Sequence, residues 1–226
     1  MTKSSSHEQC EVLLLRHAHS TANLKGILAG RDNQIGLSDR GKQESIDLSN
    51  YLSGLKFDAV YSSPLKRCSE TIAPWVEKTD VQVEFISDLI EMEYGEWSGQ
   101  PLAKLSKKSL WSSIQSRPST VRFPDGESFS EMSTRANQAI LDGARGKRRI
   151  LVVSHGDVIK SIVAFHLGMA LDSFQRISID PASITTIRVP SSQVIQVNST
   201  SHLITRSPSA KGKRDRFTLG GGQGRI

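Results

Sequence analysis

Residues 11–17 place four apolar side chains in a row with no helical spacing and end on Arg16 and His17. That is the pattern of a strand buried on both faces of a parallel sheet. Three further runs read as strands: 57–64, 81–89 with alternating polarity, and 148–156, the most apolar of them. Between them lie stretches with near-helical apolar spacing. The segment 37–55 has Ser38 placed to cap it and Gly54 to close it, and a second helix runs through Arg67, Thr71 and Trp75. The segments 101–115, 127–145 and 157–169 read as helices, 23–36, 91–99 and 116–126 as loops, and 183–190 with 193–200 as a hairpin at a sheet edge. Strands alternating with helices predict an α/β fold around a mostly parallel sheet.

In such a sheet, ligands sit beyond the carboxyl ends of the strands. Three predicted strand ends carry concentrated polar chemistry: Arg16-His17, Ser62-Ser63 leading to Arg67, and Ser154-His155-Gly156. Either histidine alone is more often structural than reactive. Two histidines and two arginines brought to one edge form a receptacle for a dianionic phosphate. The same arginines would repel a divalent cation, and no pair of His or carboxylate residues has ligand spacing, so no metal is expected.

Charge and cysteine content narrow the classes. The formal charge of +6 is concentrated at the end of the chain, where 206–226 hold six basic residues against the single acid Asp215. This Ser- and Gly-rich stretch is read as a flexible basic tail following a domain over 1–205. It lacks interleaved aromatics, so specific nucleic-acid recognition is not expected. Its glycines have no strand before them and no helix after them, as a phosphate loop requires. Cys10 and Cys68 have no ligand spacing and are read as packing residues. No apolar run approaches a membrane span and no signal-peptide core opens the chain, so a cytoplasmic location without membrane association is expected.

Taken in order, L-R-H-A-H-S-T-A-N at 15–23, S-S-P-L-K-R at 62–67, E-M-E-Y-G-E-W-S-G at 91–99 and S-H-G-D at 154–157 resemble the histidine phosphatase (phosphoglycerate-mutase-like) superfamily. The resemblance spans about 11–200, and the segment from 155 to 189 is similar to a bacterial branch of phosphomutase-like proteins to which no substrate is attached. It implies a three-layer α/β/α sandwich. It also implies a nucleophilic His17 that forms a phosphohistidine, with Arg16, Arg67 and His155 on the nonbridging oxygens. Glu91 is implied as general acid and then base. Asn23 matches a further phosphate contact, Ser20, Thr21 and Arg31 belong to the rim, and Gly156 lets the chain turn into a helix whose N-terminus adds positive potential. No cofactor is implied, the partner is a small phosphorylated metabolite, and a homodimer is left open.

The expected activity is hydrolysis of a phosphomonoester. A mutase and a non-enzymatic phospho-ligand-binding module stand as alternatives. The segment 101–128 has no tyrosine and no adjacent arginine pair, unlike the longer insertion of cofactor-dependent mutases, which favours hydrolysis. The pattern departs from the family at Ala18, where glycine is usual and a left-handed backbone would strain an alanine by about 1 kcal/mol. It departs again at His19, where Glu or Gln is common. Trp75, Trp97 and Trp111 are expected in packing, Glu93 and Glu96 as solvated loop charges, and Glu127 with Ser128 as a helix cap.

Overall fold

Successive side chains of β1 (Cys10–Arg16) pass to opposite faces of the sheet, Val12 and Leu14 into one apolar cluster, Leu13 and Leu15 into another. β4 (Arg149–Ser154) divides in the same way, Ile150 and Val152 against Leu151 and Val153. Two cores, one on each face, require helices on both sides. The computed structural model describes residues 9–203 and places them there; the expected basic tail lies outside the described residues. The sheet has six strands in the order β3-β2-β4-β1-β5-β6, with β2 at Ala59–Ser62, β3 at Glu84–Phe85, β5 at Ile184–Val189 and β6 at Gln193–Ser199. The first four run parallel, β5 lies antiparallel to β1, and β6 returns antiparallel to β5 as the predicted edge hairpin.

On one face lie α2 (Asp39–Leu52) and α3 (Lys66–Thr79). On the other lie α6 (Phe129–Gly143) and α7 (Gly156–His166). Ser38 caps α2 through the Gly41 N–H, as its position predicts. Pro74 interrupts α3 from within. Proline has no N–H for the carbonyl four residues earlier, and the hydroxyl of Ser45 on α2 lies within donor reach of that Glu70 carbonyl at 3.0 Å and of the Thr71 carbonyl at 2.8 Å. The seam between the two helices thus receives a side-chain donor where the backbone lacks one.

Three expectations change in detail. A single helical turn, α1 (Thr21–Lys25), runs into the start of the expected loop 23–36 and is closed at its own start by a capping box between Ser20 and Asn23. The alternating run 81–89 pairs only over Glu84–Phe85, because it lies at the sheet edge and turns away after the Ile86 N–H reaches the Ser62 carbonyl. The segment 101–115 divides into α4 (Leu102–Leu105) and α5 (Ser109–Ser116), with Lys108 extended between them and its ammonium 5.2 Å from the centre of the Trp97 ring. The break lets both Leu105 and Ile114 bury completely. Trp75 and Trp97 are buried, and Trp111 packs against the core from its margin. No helix among the described residues is long and apolar enough to cross a membrane.

Candidate active site

Parallel pairing of β1 and β4 sets Arg16 beside Ser154, and the His17 N–H closes the ladder on the Ser154 carbonyl at 2.9 Å. Ser62 ends β2 two strands away, followed by Ser63. The three polar strand ends therefore meet along one edge, as their positions predict. The loop after β1 is tied down on both sides. The Ala182 N–H donates to the His17 carbonyl at 3.2 Å, and the Ala18 N–H donates to Thr71 Oγ1 at 2.9 Å, whose own hydroxyl reaches the Arg67 carbonyl.

Ala18 is not among the residues with positive φ, so the expected backbone strain does not arise. Its fully buried methyl packs into the core beneath the loop. His19 belongs to the same scaffold. Its N–H donates to the buried Glu44 carboxylate at 2.8 Å, and its Nδ1 lies 2.8 Å from Ser38 Oγ. That hydroxyl gives its hydrogen to the His19 carbonyl, so Nδ1 is the donor in the contact. Gly41 stacks directly beneath, and a β-carbon there would stand 2.0 Å from the His19 carbonyl oxygen, which only glycine avoids.

His17 is 4% exposed. Its Nδ1 lies 2.8 Å from the Ala18 carbonyl. A carbonyl only accepts, so Nδ1 carries the hydrogen and Nε2 keeps a lone pair. Burial, then the charges of Arg67 and Arg16, hold the ring well below the usual histidine range, so the neutral form prevails. His155 lies with its ring centre 5.3 Å from that of His17, and its Nε2 is 2.8 Å from Ser63 Oγ. Burial, followed by Arg67 and His17, lowers its affinity for a proton as well. Its Nδ1 has no hydrogen-bond partner among the described residues and stands 3.9 Å from Glu91 Oε2.

The two arginines are buried within the protein, a placement that costs several kcal/mol each unless an anion or many acceptors compensate. Arg16 donates to the Ile179 carbonyl at 2.6 Å, and burial pushes it down to about 10. Arg67 donates to the Gly30 and Asp32 carbonyls at 2.8 and 3.3 Å. Glu91 is 4% exposed, and its Oε1 accepts the Met92 N–H at 2.9 Å. Burial pushes its carboxyl up to about 7, with Asp157 adding to the rise and Arg67 opposing it. The site combines an unprotonated ring nitrogen, two fixed cations and a carboxyl that holds a proton near neutrality. Such a set can attack an electrophile, bind an anion and protonate a leaving oxygen.

The residues expected at the rim have varied surroundings. Ser20 is buried, and its hydroxyl and N–H both reach Asn23 Oδ1 at 2.8 and 2.9 Å. Asn23 closes the capping box of α1 through these contacts, and the Thr21 N–H donates to the Gly36 carbonyl at 3.0 Å. Arg31 reaches the Glu91 carbonyl at 3.0 Å, Glu127 at 3.1 Å and Glu93 at 3.3 Å. Gly156 begins α7 with His155 as its extended N-cap residue. Cys68 is 3.6 Å from His155 Nε2, but burial pushes its thiol up to about 12, and as a thiol it donates to the Ser154 carbonyl.

A family model described as histidine phosphatase superfamily (branch 1) matches residues 12–199. The chain belongs to that superfamily. Phosphoserine phosphatase 1 of Hydrogenobacter thermophilus is 30% identical over 203 residues, covering 85% of this chain and 94% of that protein. A 2,3-bisphosphoglycerate-dependent phosphoglycerate mutase of Bartonella henselae is 29% identical over 165 residues, 67% of this chain and 79% of that one. Among solved structures, a mutant phosphoserine phosphatase from Entamoeba histolytica in complex with phosphoserine matches with a TM-score of 0.77 at 26% identity, over 86% of this chain and all of that one. The chain is thus an enzyme of the histidine phosphatase and phosphomutase class.

Several contacts around the Glu91 loop and α7 differ from the expectation from sequence or were missing from it. Glu127 does not cap α6; the capping box is Ser128 with Glu131, while the Glu127 carboxylate turns to Arg31 and Arg135. Glu93 is ion-paired with Arg31, whereas Glu96 is exposed as expected. Arg135, Tyr94, Asp157 and Lys160 form contacts around the Glu91 loop and α7: Tyr94 donates to Asp157 at 2.8 Å, and Lys160 lies 3.3 Å from it. Charged residues on the predicted inner faces of α6 and α7 were the available signal, since a buried charge requires a partner.

Proposed function

We propose that the protein is a phosphatase for a small phosphomonoester, acting through a phosphohistidine on His17. The observation that carries this reading is the His17 tautomer: Nδ1–H spent on the Ala18 carbonyl and an Nε2 lone pair kept unprotonated by burial beside Arg16 and Arg67. Nε2 attacks phosphorus while the ester oxygen departs on the opposite side. Arg16, Arg67 and His155 hold the nonbridging oxygens, whose charge is spread in the transition state. His155 is proposed to carry its hydrogen on Nδ1 as donor to the phosphate, which requires Nε2 to accept from Ser63 Oγ at 2.8 Å. Glu91 gives its proton to the leaving oxygen. It then takes one from the water that attacks phosphohistidine, returning His17 and releasing phosphate.

Fixed guanidinium charge supports a mechanism without a metal ion, since it supplies the electrostatic stabilisation a cation would bring. Asn23, Ser20 and Thr21 are proposed beside the substrate because they lie at the start of α1, on the loop that leaves His17, and Gly156 because α7 directs its N-terminal dipole toward the anion. The buried free thiols Cys10 and Cys68 support a reducing, cytoplasmic setting. The substrate is proposed to be a phosphorylated metabolite of modest size, in keeping with the phosphoserine named for two relatives. The similarity to a mutase supports a second reading, in which the phosphoryl group returns to substrate.

The test is a panel of phosphorylated metabolites assayed for phosphate release and for isomerised product, with wild type and His17→Ala. Wild type is expected to release phosphate and to form an acid-labile phosphoenzyme. His17→Ala is expected to lose both by at least about 10³-fold, because removal of a nucleophile leaves only binding and electrostatics. Wild-type turnover in saturating EDTA is expected to be unchanged. Full activity in His17→Ala overturns the mechanism, isomerised product without phosphate selects the mutase, and activity restored to the EDTA-treated enzyme by one divalent ion overturns the metal-free site.

A further inference from the structure

We propose that Glu127 is a positioning residue for this reaction: by anchoring Arg31 and Arg135 on the main chain of residue 91, it fixes where the Glu91 carboxyl meets the leaving oxygen. The inference rests on the assignment of Glu91 as general acid. Its basis is a set of contacts between three segments distant in sequence. Glu127 Oε1 accepts from Arg31 Nη2 at 3.1 Å and from Arg135 Nη2 at 2.6 Å, while Oε2 accepts from Arg135 Nε at 3.0 Å. Both arginines then reach the same backbone oxygen, the carbonyl of Glu91, Arg31 through Nε at 3.0 Å and Arg135 through Nη2 at 3.2 Å. Arg135 Nη1 also holds the carbonyls of Asp88 and Ile90 at 2.7 and 2.8 Å.

One guanidinium thus grips three carbonyls of the strand-to-loop passage that carries Glu91, and the bidentate carboxylate of Glu127 sets the plane of that guanidinium. Without this anchor a five-donor fork on a flexible stem has several ways to lie. The main chains are locked as well. The Glu93 N–H donates to Glu127 Oε1 at 2.9 Å, the Glu127 N–H to the Glu93 carbonyl at 3.0 Å, and the Glu96 N–H to the Pro124 carbonyl at 3.1 Å. Gly95 permits this stacking, with φ of 51° and a space in which a β-carbon would stand 1.9 Å from the Pro124 oxygen. Charge is balanced within the cluster, where Arg31 and Arg135 face Glu93 and Glu127. The Glu127 side chain is only 14% exposed, so removing its charge leaves two cations sparsely compensated beside the acid.

A general acid must sit within a fraction of an ångström of the oxygen it protonates, and a misplacement of about 1 Å costs on the order of 10²-fold. The loss belongs to substrates whose leaving group needs the proton. The experiment measures pre-steady-state phosphorylation of His17 by serine phosphate, an alkyl ester, and by p-nitrophenyl phosphate, whose leaving group departs unaided. Glu127→Gln is expected to slow the alkyl reaction roughly 10- to 100-fold and the aryl reaction less than about threefold, with dissociation constants nearly unchanged. Glu127→Asp, which keeps the charge, is expected to recover part of the loss. Arg135→Lys, which keeps charge but loses the fork, should reproduce the selective defect and decides the matter if Glu127→Gln does not fold. Equal losses on both esters, or no loss, overturn the positioning role while leaving the acid assignment standing, provided Glu91→Gln is itself selective. If Glu91→Gln treats both esters alike, the acid assignment and the proposal fail together.

Discussion

Burial acts on two neighbouring side chains in opposite directions, lowering the proton affinity of His17 and raising that of Glu91 to about 7. Each neutral form is the one the proposed first chemical step requires, so burial prepares both the proposed nucleophile and the proposed acid. The pH dependence of phosphorylation by an alkyl phosphate should therefore fall above about pH 7, approaching tenfold per unit as Glu91 ionises. On the acid side, no limb near 6.5 is expected from His17, and the rate should follow only the substrate's second ionisation near pH about 6. With p-nitrophenyl phosphate the alkaline limb should be shallow. Rapid-quench measurements between pH 5.5 and 8.5 on both substrates check this. An alkaline limb of equal steepness for both would assign it to a group other than the proton donor.

At the scale of elements, the seam between α2 and α3 shows a local defect met by a tertiary contact. Pro74 removes the donor for the Glu70 carbonyl, and Ser45 offers one in its place. Ser45→Ala is expected to destabilise the protein by about 1–3 kcal/mol, the cost of leaving a buried acceptor unsatisfied. In a Pro74→Ala background, where an N–H is available within α3, the same Ser45→Ala change should cost less by about 1 kcal/mol. A double-mutant cycle by urea unfolding measures the coupling. Strict additivity of the two changes would mean that the Glu70 carbonyl is served in some other way. Because α3 carries Arg67 and Thr71 into the site, the same seam also sets the position of Arg67, the proposed phosphate-binding residue.

For the molecule as a whole, the site creates a pH liability. His17 and His155 have folded-state affinities well below 6.5, whereas the unfolded chain takes up protons on both near pH 6.5. Their depressed values give stability that is present above pH 6.5 and lost as pH falls. Glu91 has the opposite sign, since its raised value gives stability present below 4.5 and lost as pH rises through about 7. Between pH 4.5 and 6.5, two protons gained by the unfolded chain oppose one held by the folded chain, so net stability should decline on acidification. The slope from this site approaches one proton, about 1.4 kcal/mol per pH unit. Urea unfolding of His155→Gln from pH 5 to 7 should show a slope smaller by up to that amount. A slope unchanged in that variant would show that His155 titrates alike in folded and unfolded chains.

The sequence by itself determined the alternation of strands and helices, the two-sided core and the meeting of Arg16, His17, Ser63, Arg67 and His155. These follow from local periodicity together with parallel pairing, which sends successive strand ends to one edge of the sheet. It also marked His17 and Glu91 as the candidate nucleophile and acid, because the residues within each motif are near neighbours in sequence. The tertiary structure alone decided which ring nitrogen of His17 is unprotonated, since that depends on the direction of one carbonyl. It decided that Ala18 needs no left-handed backbone and that His19 joins the loop to α2. It also decided that Glu127 reaches Arg31 and Arg135 instead of capping α6, the partners standing 96 and 8 positions away along the chain. A charged side chain declares its need for a partner in the sequence, but the partner is chosen by which long-range surfaces pack together, and periodicity holds no information about that choice.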